Sequence, residues 1–156
     1  MSTESVKFTI ALSGIYHDKK PQYSILIDDQ EYASGFIKEA SGILETIEFD
    51  VDLNEGPHSL NIKLLNKEPG DTVKSSNDPV NFEIVKDMLL NVEKIKIDSI
   101  DLDSLIWTES EYVLDKPYTF NGETVSSLKS CVNLGWNGTY TIQINSPVYI
   151  WLLEKL

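Results

Sequence analysis

The sequence predicts an all-β protein, an antiparallel β-sandwich of jelly-roll type whose apolar C-terminal segment forms either a further strand or a short helix. Three observations predict it. Several short segments alternate apolar and polar residues with a period of two, the spacing that buries one face of a strand. Clusters of Gly, Pro, Asn and Asp punctuate those segments at fairly regular intervals. Helix signals are few, βαβ alternation is absent, and no heptad, repeat or low-complexity tract occurs. A length of 156 residues with 41% hydrophobic and 24% charged residues suits one globular domain over residues 1–156.

Taken in order, Val6, Phe8, Ile10 and Leu12 share one face of the first strand, with Lys7, Thr9 and Ala11 on the other. Gly14 to Pro21 is a polar loop. Tyr23, Ile25 and Ile27 resume the alternation, and a turn at Asp28-Asp29-Gln30 leads into a returning strand over Glu31 to Lys38. Ile43 to Leu53 reads as a long strand with Ile43, Glu45, Ile47, Phe49, Val51 and Leu53 on one face. The turn Asn54-Glu55-Gly56-Pro57 joins it to a strand carrying Leu60, Ile62 and Leu64, and the spacing predicts an antiparallel hairpin of the two. Asn66 to Pro79 is a long polar loop, followed by a short strand at Phe82 and Ile84.

Ile95 and Ile97 then oppose Lys94 and Lys96 on a strand over Val92 to Ile100. Trp107 to Phe120 places aromatic rings in an acidic surround, Asn121-Gly122 reads as a type I′ turn, and Gly135-Trp136-Asn137-Gly138 as another. Tyr140, Ile142 and Ile144 alternate with Thr139, Thr141 and Gln143. In the last segment Ser146 and Pro147 suit a helix start, whereas alternation of Val148, Ile150 and Leu152 suits a strand and tips the reading that way. Either form is too apolar to be left in water, so the segment packs into the core or onto a neighbour, and in the second case Tyr149, Trp151, Leu153 and Leu156 are candidates for an assembly interface.

Composition narrows the chemistry. The net charge is −12, and all 13 basic residues are lysines. An acidic surface without arginine repels a phosphate backbone, so nucleic acid and anionic membranes are not expected partners. No apolar run approaches the ~20 residues that span a bilayer, and membrane insertion is not expected. The N-terminal Met1-Ser2-Thr3-Glu4-Ser5 has neither the basic start nor the apolar stretch of a signal peptide, which predicts synthesis in a cytoplasm. The single cysteine, Cys131, reads as a buried structural thiol, because a catalytic one needs a histidine and both His17 and His58 lie beside turns.

Catalytic motifs are absent, and the protein is expected not to be an enzyme. Glu109 and Glu111 could serve a glycan hydrolase, but hydrolytic carboxylates normally straddle a cleft from different elements, and adjacent ones on a strand are usually solvated. Clustered aspartates at Asp28-Asp29 and Asp98 to Asp103 lack the glycine and terminal glutamate of an EF-hand loop and read first as turn formers. Sugar recognition needs aromatic platforms that stack on a pyranose, flanked by amides and carboxylates. Candidates are Tyr16, Trp107, Tyr112, Tyr118, Trp136 and Asn137, with Asn133, Glu109 and Asp115 as polar neighbours. The alternative for the tryptophans is that they cap the ends of the sandwich.

Several stretches resemble β-sandwich carbohydrate-binding modules of the calcium-dependent, xylan-binding kind. They are Phe8-Thr9-Ile10-Ala11-Leu12-Ser13-Gly14, Tyr23 to Gln30, Phe49 to Leu53, Gly56 to Ile62, Leu65-Asn66, and Leu90-Asn91-Val92-Glu93-Lys94-Ile95-Lys96-Ile97-Asp98-Ser99-Ile100. The resemblance covers residues 1–106 and implies calcium as a cofactor and a polysaccharide as partner. It places Asn66, Asp71, Asn91 and Glu93 where such modules hold the ion. The chain departs from the pattern at Asp87-Met88-Leu89-Leu90-Asn91, where the family has a compact Asp-Arg-Asn-Leu run. Residues 107–156, the C-terminal strands and the apolar tail packed on them, are similar in style to small structural proteins of T4-like phages of marine cyanobacteria. Together these imply a non-catalytic module located on a virion, as an adhesin or capsid decoration, with other virion proteins as partners. The alternatives are a purely structural protein assembling through its C-terminus, and a cytoplasmic location.

Overall fold

The structure is a computed structural model that describes residues 2–78, 80–120 and 122–156. Strands β1 (Thr3–Ile15), β2 (Gln22–Ile27), β3 (Gln30–Phe36) and β4 (Glu45–Asn54) open the chain. Strand β5 (Gly56–Leu64) leads to a single 3-10 turn at Pro69–Asp71 and a small hairpin of β6 (Val73–Lys74) and β7 (Ile84–Lys86). Then come β8 (Leu89–Ile97), β9 (Ile100–Asp101) and a one-turn helix α1 (Leu105–Thr108). Strands β10 (Ser110–Phe120), β11 (Glu123–Lys129), β12 (Asn133–Leu134) and β13 (Gly138–Ser146) precede the terminal helix α2 (Val148–Lys155).

These strands form the predicted antiparallel sandwich. One sheet runs β12-β8-β1-β4, with β9 added on β8; the other runs β11-β10-β13-β5-β2-β3. Their apolar faces meet in one core, in which Phe8, Ile10, Leu12, Ile62, Leu64, Ile95, Tyr140 and Ile142 are all but inaccessible to solvent. Each such side chain gains about 1.5–3 kcal/mol by leaving water, which is why period two in the sequence becomes two facing layers. At one open side Tyr32 of β3 stacks on Phe49 of β4, which stacks on Phe8, so three rings close the gap between the sheets.

The expected pairing of the strands around Asn54 to Pro57 does not occur. β4 pairs with β1, whereas β5 pairs with β13 and β2. Gly56, at φ 121°, carries the chain across the sandwich in a backbone region that side chains rarely adopt. Alternation shows which face of a strand is buried and not whether its neighbour in sequence lies beside it or opposite. Ile43 and Leu44, read as the start of that strand, are exposed loop residues ahead of Glu45. The β2–β3 hairpin is present as expected, with Asp28 in the left-handed region at its turn. Gly122 is left-handed too, but Asn121, the other half of that expected turn, lies outside the described residues, as does Pro79 at the end of the polar loop.

The C-terminal segment is a helix and not the strand its alternation favours. Val148, Trp151 and Leu152 recur at helical spacing and are buried. The Glu4 carboxylate, brought from the start of β1, accepts the Val148 N–H at 3.0 Å and the Ser146 hydroxyl at 2.7 Å. It thereby satisfies an amide that the first turn leaves without an intrahelical partner. Cys131 is half-buried and not fully enclosed; burial pushes its thiol up, away from reactive thiolate. No helix of the described residues is long and apolar enough to cross a membrane.

Candidate functional site

A cleft of about 360 Å³ opens where three connections converge: the loop after β5, a break in β10, and the turn between β12 and β13. The break has a sequence cause. Pro117 cannot donate a ladder hydrogen bond, so a strand that contains it must bulge or yield its pairing there. Val113 of β10 pairs with Ser127 and Tyr118 with Val125, so the residues between are pushed out of register. The Asp115 N–H donates to the Asn137 carbonyl at 3.0 Å, fixing the displaced segment against the β12–β13 turn.

That turn is the passage from one sheet to the other, and it is held from below. Gly138 follows it so closely packed that a Cβ there would lie 2.4 Å from the Val113 carbonyl oxygen. The Tyr112 hydroxyl, beneath, donates to the Trp136 carbonyl. Asn137 makes a strand-like pair of hydrogen bonds with the β5 loop, its Oδ1 accepting the Lys67 N–H at 2.7 Å and its Nδ2 donating to the Lys67 carbonyl at 2.9 Å. The result presents Trp136 and Tyr118 as a stacked pair, centroids 4.7 Å apart and planes inclined by 29°, each a little over one-third exposed. The walls are mainly apolar, and Glu68, Asp115 and Lys116 supply charge.

Lys67 lies under this platform. Its ammonium donates to the Asp87 carboxylate and to the Met88 carbonyl, both at 2.6 Å, and sits 5.8 Å from the centroid of the Trp136 ring. The Lys67 side chain is 2% exposed. Burial alone would raise the Asp87 carboxyl, but hydrogen bonds from Lys67, the Thr72 hydroxyl and the Met88 N–H outweigh it and hold the group below its usual range. Nothing in Asn66-Lys67-Glu68-Pro69 marks Lys67 apart from the other lysines, so sequence reasoning missed it. The signal for the neighbouring wall was readable: a proline inside an otherwise regular strand.

Of the expected glycan-binding residues, the structure brings together Tyr118, Trp136 and Asn137. Tyr112 is corrected: it is 1% exposed, its hydroxyl is pushed up by burial, and it supports the cleft from within the core. Tyr16 is half-buried elsewhere, donating to the Glu39 carbonyl. Trp107 is exposed on α1, outside the cleft. Glu109 is paired with Lys155 at 2.8 Å and shares an open groove with Glu111, Lys129 and Gln143 on the face of β10 and β13.

The residues placed by resemblance at a calcium site do not converge. Asn66 accepts from the Gln22 N–H and donates to the Lys20 carbonyl. Asp71 accepts from the Glu68 N–H and pairs with Lys19 at 2.9 Å. Asn91 and Glu93 meet separately, at the Ser13 hydroxyl, and the buried Asn91 Oδ1 has no hydrogen-bond partner among the described residues. Calcium takes six to eight oxygens. Asn66, Asp71 and the pair Asn91 and Glu93 bond to separate partners and do not form one oxygen cage, and among the described residues no group of three or more His, Cys, Asp or Glu side chains is placed to hold a metal ion. Of the assembly candidates, Tyr149 and Leu153 on α2 and Leu156 just past its end are exposed, but Trp151 is buried in the core and is corrected to a packing residue.

No protein-family model and no curated protein matches the chain. Solved structures do. One described as "vCBM60 in complex with galactobiose" aligns with a TM-score of 0.54 at 10% identity, over 87% of this chain and 96% of that one. The selenomethionine form of vCBM60, described under "Circular permutation provides an evolutionary link between two families of calcium-dependent carbohydrate binding modules", aligns at 0.56 and 10% identity over 88% and 89%. At that identity the likeness is one of fold.

Proposed function

We propose that the chain is a non-catalytic carbohydrate-binding module whose ligand stacks in the Trp136–Tyr118 cleft. The observation that carries the reading is the stacked aromatic pair held rigidly from below in a mainly apolar cleft rimmed by charged groups. Its volume falls within the range of small-ligand pockets, roughly 300–1,000 Å³. Two rings offer the apolar face of a sugar a platform, and Asp115, Glu68 and Lys116 offer its hydroxyls acceptors and a donor. The fold it shares with vCBM60, a protein solved with galactobiose, supports the same reading. Glu109 and Glu111 have no catalytic part in it.

The test is retention on polysaccharide affinity gels and a glycan array. Trp136→Ala is expected to weaken retention at least about tenfold, equivalent to about 1.4 kcal/mol, with the circular dichroism spectrum unchanged. Trp107→Ala is expected to bind as the parent does. Equal retention by parent and Trp136→Ala rejects the assignment.

Assembly through α2 is a second role, favoured by the exposure of Tyr149, Ile150 and Leu153 on the helix and of Leu156 at its C-cap. The phage-particle location rests on the resemblance of residues 107–156, and peptide mass spectrometry of purified particles is its test.

A further inference from the structure

The calcium dependence of the modules that share this fold raises the question of what neutralises the oxygens around the cleft in this chain. The oxygens are present: the Asp87 carboxylate, the Met88 carbonyl and the Thr72 hydroxyl gather under Trp136, with Asp71 close by. Each already has a partner from the chain. Lys67 takes Asp87 and Met88 at 2.6 Å, Thr72 donates to the same carboxylate at 2.7 Å, and Lys19 takes Asp71 at 2.9 Å. A divalent ion entering here would have to displace an ammonium that is buried, doubly bonded and beneath an aromatic ring.

We propose that the cleft takes its cation from the chain itself: the Lys67 ammonium neutralises the Asp87–Met88 oxygens under Trp136, so that glycan binding in this cleft does not depend on calcium. The inference rests on the glycan reading above for its ligand but not for its cation. Lys67 acts as a positioning residue, joined to the platform through its own backbone bonds to Asn137.

Calcium titrated into the intact protein is the direct test, followed by melting temperature. An ion bound in the folded state only would raise the melting temperature by mass action, by several degrees once it is in about hundredfold excess over its Kd. The expected result is no shift, and equal glycan retention with calcium or with chelator. Lys67→Ala should melt lower, and millimolar calcium should restore part of the loss in that variant but not in Lys67→Ala/Asp87→Ala. A calcium shift in the parent that Asp87→Ala removes, retention lost in chelator, or a folded Lys67→Ala indifferent to calcium would each overturn the proposal. If Lys67→Ala does not fold, the titration of the parent still decides it. Absence of retention on every polysaccharide, with or without calcium, defeats the glycan reading and leaves the melting test standing.

Discussion

Tyr112 and Trp136 are linked by one hydrogen bond and serve opposite purposes. The first is enclosed and gives its hydroxyl to the backbone of the second, which is thereby held with its ring towards solvent. A tyrosine in a strand with aromatic neighbours reads the same from sequence whether it points in or out. Only the register of β10 against β13, with Tyr112 opposite Tyr140, turns it inward. Gly138 is the residue on which that geometry depends most. Its Cβ would collide with backbone at Val113 and Leu114 and with the Tyr112 ring, and backbone cannot swing aside as a side-chain end can. Gly138→Ala is therefore expected to destabilise by about 1–3 kcal/mol or more and to weaken ligand retention with it, as denaturant unfolding and affinity gels would show. Stability equal to that of the parent would mean the approach of β10 to β13 is looser than described.

At the scale of elements, α2 has two faces, one buried and one exposed. Val148, Trp151 and Leu152 fill the core, while Tyr149, Ile150, Leu153 and Leu156 lie on the surface. Truncation after Asn145 therefore cannot separate assembly from folding, because it removes Trp151, whose loss alone is expected to cost about 3–5 kcal/mol. The informative variant is Leu153→Glu, which leaves the buried face intact. Unchanged melting with reduced self-association or partner capture, measured by sedimentation, is the outcome expected of an assembly face; unchanged sedimentation in a parent that does associate removes it. The mixed face also explains why this segment was ambiguous in sequence. Val148 and Leu152 are four apart, a spacing common to one side of a strand and one side of a helix, and Trp151 alone breaks the tie.

Across the whole molecule the cleft and α2 lie at opposite ends of β13, which starts at Gly138 and ends at Ser146. Eight steps of about 3.3 Å separate them by roughly 26 Å, far enough for one end to be attached while the other binds. The α2 end carries a titrating pair. His58 bonds the Asp28 carboxylate at 2.8 Å and the Asn54 carbonyl at 2.6 Å, an arrangement that uses both ring nitrogens as donors and so requires the imidazolium. Burial lowers its pKa, but Asp28, Asn54 and Glu4 outweigh burial and raise it above its ordinary 6.5; Asp28 is correspondingly lowered below 3.8. A raised histidine contributes stability that is complete below its unfolded value and lost as pH rises through the folded one. A lowered carboxylate contributes stability that is present above its unfolded value and lost as pH falls through the folded one. Asp71 and Asp87, both lowered, add to the acid side. Stability is expected to be greatest between about pH 4 and 6.5 and to fall on either side. His58→Gln should flatten the alkaline slope between pH 6 and 8 in urea unfolding. An identical slope in that variant would show that the loss arises elsewhere.

Local alternation by itself predicted an antiparallel β-sandwich and most of the side chains that fill its core, and turn signals placed Trp136 beside a turn. Those properties are set by neighbours one or two residues away, so they can be read along the chain. Which strand lies beside which, and therefore which loops share an end, was decided only in three dimensions. Burial rewards an apolar face equally whether its partner is adjacent in the sheet or across the core, as β4 and β5 demonstrate. The cleft follows from that choice. Lys67 becomes a buried cation only because residues 67, 87 and 136 are folded onto one another, and no local pattern distinguishes it from a lysine in water.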